Sequence, residues 1–83
     1  MTADQRRDIR LAVDQGEQEG TIQGYYADAP GDCGVRHHLR VRDYQGFRCD
    51  LTCNTRAMWI LANAILMGEP ITYSLVAALR YVR

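Results

Sequence analysis

The chain has 83 residues, 47% hydrophobic and 24% charged, which suffices for one independently folding domain, 1–83, and excludes a disordered or fibrous chain. All ten basic residues are arginine and ten acidic residues cancel them, so the formal net charge is zero, which argues against a strongly basic nucleic-acid module. The zero hides a division that steers encounters with charged partners: residues 1–34 hold three arginines against seven carboxylates, residues 35–83 seven arginines against three.

Thr2 followed by Gln5 is a capping box, and it predicts a first helix from Ala3 to about Gln15. Ile9, Ala12 and Val13 make its dry side, Asp4 and Arg7 have the spacing of an ion pair, and Gly16 and Gly20 are read as its end. Thr21–Ala27, TIQGYYA, reads as a strand, followed by the turn-rich DAPGDCG. In VRHHLRVRDYQGFRCDLTC, residues 35–53, Val35, His37, Leu39 and Val41 alternate with Arg36, His38, Arg40 and Arg42. After DYQG, Phe47, Cys49, Leu51 and Cys53 alternate with Arg48, Asp50 and Thr52, so the stretch predicts a β-hairpin with one dry and one wet side. Asn54 or Thr55 caps a helix through RAMWILANAILM that stops at Gly68 and is apolar nearly all round. ITYSLVAALRYVR supports either a helix or an edge strand, and its alanines favour the helix. The expected fold is α+β: a helix, a three-stranded antiparallel sheet, then one or two C-terminal helices packed on the sheet.

The longest apolar run, Ala57–Met67 broken only by Asn63, is shorter than the roughly 18–20 residues that cross a bilayer, so no membrane role is expected. MTADQRRDIR lacks the apolar core of a signal peptide, which places the chain in a reducing bacterial cytoplasm with its three cysteines as free thiols. Cys33, Cys49, Cys53 and His37 are the residue types of a zinc site, but no CxxC is present, and Cys49 and Cys53 on one strand stand about 13 Å apart. No cofactor or metal is expected. His37 and Cys49 share the interior without an orienting carboxylate, and no phosphate loop or nucleophile elbow appears, so neither an enzyme nor a small-molecule substrate is expected.

Two charged groups remain as candidate interaction surfaces. Asp14, Glu17, Glu19, Asp28 and Asp32 lie on a helix end and in loops, where they are able to imitate a phosphate backbone, with Tyr25 or Tyr26 as an aromatic anchor. The alternative is the exposed hairpin row Arg36, His38, Arg40, Arg42 and Arg48, which suits a phosphate backbone but is interrupted by Asp43 and Asp50. A third reading is self-association through exposed parts of the apolar helix, Trp59 included, so the expected state is monomer or homodimer.

TADQRRDIRLAVDQG, the hairpin VRHHLRVRDYQGFRCDLTC and the helix TRAMWILANAILMG together resemble the small phage-borne anti-CRISPR proteins, in particular inhibitors of type I surveillance complexes. The resemblance implies a non-enzymatic inhibitor that binds a Cascade-type CRISPR effector subunit, in many cases by covering the basic surface that receives target DNA. That group shares no sequence motif, so the resemblance assigns no individual residue.

Overall fold

A computed structural model describes residues 1–29, 31 and 34–83. The order is α1 (Ala3–Glu19), β1 (Ile22–Ala27), β2 (Arg36–Arg42), β3 (Arg48–Asn54), α2 (Thr55–Leu66) and α3 (Tyr73–Leu79), with one antiparallel sheet in the order β1-β2-β3. This is the expected α+β architecture. α1 and α2 pack side by side against one sheet face, α3 flanks α2, and the other sheet face is open.

α1 starts as its capping box predicts, with Gln5 N donating to Thr2 Oγ1 and Thr2 N to Gln5 Oε1. It does not stop at Gly16. That glycine is buried inside the helix, where an added Cβ would stand 2.9 Å from Ile22 Cδ1. Gly16 lets the helix lie close on β1; the helix ends one turn later, where Gly20 takes a left-handed φ of 82° and donates to the Glu17 carbonyl.

β1 is irregular. Ile22 pairs with Val41 and Tyr25 with Leu39, so three residues of β1 advance against two of β2, and Gly24 sits in the bulge. Strict alternation from Ile22 would turn Tyr25 outward, but the extra residue turns it inward and presents Tyr26 to solvent, 61% exposed.

The hairpin follows its alternation from Arg36↔Asn54 to Arg42↔Arg48. His37, Leu39, Val41, Leu51 and Cys53 are buried and Cys49 is half-buried. Phe47 departs from the expectation and is 67% exposed, because it belongs to the connection rather than to β3. Asp43 organises that connection: its buried carboxylate accepts from the Gln45 and Phe47 amides at 2.9 and 2.8 Å.

Asn54, rather than Thr55, caps α2 by accepting from Ala57 N at 2.9 Å. Its far end is a Schellman turn, with Gly68 N donating to Ile65 O and Glu69 N to Ala64 O. Thr72 caps α3, which covers only Tyr73–Leu79 of the longer segment expected to be helical. The chain end still closes on α2, as Asn54 Nδ2 donates to the Val82 carbonyl. No helix among the described residues is long and apolar enough to cross a membrane.

Candidate functional site: two charged surfaces

The outward row of the sheet is built by cross-strand neighbours. Tyr26, His38 and Thr52 lie side by side, then Arg40 beside Asp50, then Arg42 beside Arg48, with Arg36 at the other end. Tyr26 stacks on His38 with ring centroids 4.6 Å apart and 12° between planes. His38 Nε2–H donates to Asp28 Oδ2 at 2.7 Å and Nδ1 lies 3.2 Å from the Thr52 hydroxyl, so the imidazole is held on both sides. Arg40 Nε donates to Asp50 Oδ1 at 3.0 Å. The centre of the arginine row is thereby neutralised. Arg36, Arg42 and Arg48 make no salt bridge among the described residues, and Arg42 faces Arg48 directly, an arrangement of like charges that disfavours the sheet.

The acidic group does not form one surface. Asp14, Glu17 and Glu19 are exposed on the C-terminal part of α1, whereas Asp28 lies beyond the far end of the six-residue β1, roughly 20 Å along the strand. Asp28 is also committed to His38. Asp32 lies outside the described residues. Tyr25, expected as an anchor beside the acids, is half-buried and faces α1; Tyr26 takes the outward place.

What remains is the C-terminal part of α1, where Asp14 and Glu17 share a side at i, i+3 and Glu19, two residues on from Glu17, projects from another, and where the carboxylates cost stability. The last turn of α1 holds no basic residue, and Glu17 and Glu19 stand at the negative end of the helix dipole, where each carboxylate costs roughly 0.3–1 kcal/mol. Among the described residues Asp14 and Glu17 have no side-chain partner, and Glu19 accepts only from Gln15 Nε2 at 3.3 Å.

On the dry face His37, with no exposed surface, has Nδ1 2.7 Å from the Tyr25 hydroxyl and Nε2 2.9 Å from the Thr55 hydroxyl. The neutral ring donates from one nitrogen and accepts at the other, so both are used. Burial, then the neighbouring His38 and the N-terminal ammonium, lower its pKa below the ordinary histidine value. Its cross-strand neighbour is Cys53; Cys49, the expected companion, pairs with Val41. Among the described residues no three His, Cys, Asp or Glu side chains come together as a metal-binding set, and Cys33 lies outside those residues.

Burial pushes the Cys53 thiol up to about 11. At pH 8 only about a thousandth of it is then thiolate, against roughly a quarter of an ordinary thiol. Iodoacetamide should therefore leave Cys53 unmodified in the folded protein and alkylate it in urea, as read by peptide mass spectrometry. Comparable labelling in both states would contradict its burial. Trp59 is half-buried and donates from Nε1 to Asp8 Oδ2 at 3.2 Å, so it joins α2 to α1, and the exposed apolar residues of α2 are Ile60 and those at its end.

No protein-family model, curated protein or solved structure matches this chain.

Proposed function

We propose that this chain is a non-enzymatic inhibitor that binds a type I CRISPR effector and keeps target DNA from its basic receiving surface. The acidic end of α1 is the contact, with Asp14, Glu17 and Glu19 standing where DNA phosphates would stand. The observation that carries this reading is the placement of these exposed carboxylates: two of them stand against the helix dipole, and among the described residues none of the three makes a salt bridge. A surface that is unfavourable for the isolated fold is accounted for when a cationic partner completes it. The resemblance of the whole chain to anti-CRISPR proteins supplies the kind of partner.

The test is target-DNA binding by purified type I effector complex with this protein added. Wild type should block DNA near stoichiometric ratios. The triple variant Asp14→Arg, Glu17→Arg, Glu19→Arg should inhibit at least tenfold less while keeping its helical circular dichroism. Full inhibition by the variant would remove the acidic end from the account, and no inhibition by wild type would reject the reading.

A second reading rests on the open sheet. The Tyr26–His38 stack and the facing Arg42 and Arg48 offer an aromatic surface and unpaired cations to single-stranded nucleic acid. Binding to an oligonucleotide that weakens steeply with salt, and is lost in Arg42→Glu, Arg48→Glu, would favour it.

A further inference from the structure

β1 is an edge strand, and beneath that edge lies a cleft of about 460 Å³ between β1 and the first half of α1. Its floor is apolar: Met1, Ala3, Ile9 and the ring of Tyr25, whose hydroxyl is tied to buried His37. Arg6, Arg7 and Arg10 also line it. Arg7 is occupied by Asp4 and Asp8 at 3.5 and 3.4 Å, whereas Arg6 and Arg10 make no salt bridge among the described residues. One turn apart on the helix, they face the same way.

The edge itself is available. Asp28 N donates to the Arg36 carbonyl, so alternation turns the backbone groups of Tyr26 toward β2 and those of Tyr25 and Ala27 off the sheet. β1 carries no charge and no proline; the bulge at Gly24 interrupts its first half and leaves Tyr25–Ala27 as the regular edge. Among the described residues no second strand pairs with it.

We infer that this edge and cleft receive an extended acidic peptide of a partner protein, which adds to β1 as a fourth strand, with an aliphatic side chain over Ile9 and Tyr25 and a carboxylate between Arg6 and Arg10. The backbone groups of Tyr25 and Ala27 provide the strand pairing, the cleft accepts the apolar residue, and the two guanidinium groups select the sign of the charge. Residues two apart on an extended chain share a face, so the motif is an aliphatic residue and an acidic residue at i and i+2. This surface is separate from the acidic end of α1 and from the open sheet face, so it stands whichever partner those take.

The probe is a fluorescein-labelled decapeptide of alternating threonine and valine with a central Leu-Thr-Glu, compared with the same peptide carrying Leu-Thr-Lys. Fluorescence anisotropy with the full chain should show the Glu peptide binding at least tenfold more tightly than the Lys peptide. The variant Arg6→Glu, Arg10→Glu should reverse that preference. Ala27→Pro removes an N–H that points to solvent, a replacement that edge strands accept, and it should abolish binding without changing the circular dichroism spectrum. Equal affinity for the two peptides, an unaltered preference in the charge variant, or undiminished binding by folded Ala27→Pro would each overturn the inference. Absence of binding by wild type at millimolar peptide would overturn it too. If Ala27→Pro unfolds, peptide-induced shifts of the Tyr25 and Ala27 amide resonances in the wild-type protein decide: their absence at saturation overturns strand addition.

Discussion

Leu61→Ala is expected to destabilise the protein by about 2–5 kcal/mol, the range for emptying a leucine site inside a packed core. Leu61 has no exposed surface and sits among Met58, Ile65, Val76 and the inward residues of β2 and β3, which form one continuous core cluster. A domain of this length has roughly 4–12 kcal/mol of total stability, so the loss is a large share of it. The cost arises because α2 is held from the sheet side by Leu39, Val41 and Leu51 and from the other side by α1 and α3, leaving it little room to settle into the void. Urea unfolding followed by circular dichroism is the measurement: the midpoint should fall by molar units, while Leu61→Met should cost less than about 1.5 kcal/mol. A midpoint for Leu61→Ala within experimental scatter of wild type would mean that α2 does not pack on the sheet as described.

The second large effect concerns His37. Replacing it with phenylalanine keeps a ring in the core but removes both hydrogen bonds, leaving the Tyr25 and Thr55 hydroxyls without their partner, at a cost of roughly 1–3 kcal/mol at pH 7.5. The pH dependence follows from the lowered pKa. Below about pH 6.5 the unfolded chain protonates this imidazole while the folded chain still excludes the proton, so the unfolded state binds more protons. The stabilising contribution is therefore complete above that value and is lost as pH falls from it toward the lower pKa of the folded state. Thermal melts from pH 7.5 to 5.5 should show wild type losing melting temperature and His37→Phe losing less. Parallel curves for the two proteins would show that His37 is not held neutral in the fold.

The readable parts of this chain were those governed by neighbours a few residues away. The Thr2–Gln5 box, the α2 cap at Asn54 or Thr55 and the alternation from Arg36 to Cys53 each act within one turn or one strand; the box and the alternation are found where their spacing predicts, and of the two cap residues Asn54 does the capping. Gly16 misled for a definite reason. In isolation a glycine in a polar stretch marks a helix end, but this one is inside because Ile22, folded back from the next element, occupies the space of its side chain. Phe47 misled by a similar route: its parity matches the dry side of β3, yet Asp43 gathers the Gln45 and Phe47 amides into the connection before the strand begins.

The candidate surfaces show the same division. The alternation made Arg36, His38, Arg40, Arg42 and Arg48 a single face, and they are one. The acids carried no such period, and the six residues of β1 set Asp28 apart from Asp14, Glu17 and Glu19. Local pattern thus settled which elements form, because helix caps and strand parity are energies of adjacent residues. Packing decided which tyrosine faces water, which carboxylates stay together and where the cleft beneath β1 opens. A one-residue bulge, a helix laid close over Gly16 and an imidazole shared by two hydroxyls join residues far apart in the chain, and their energies exist only once the sheet and helices have met.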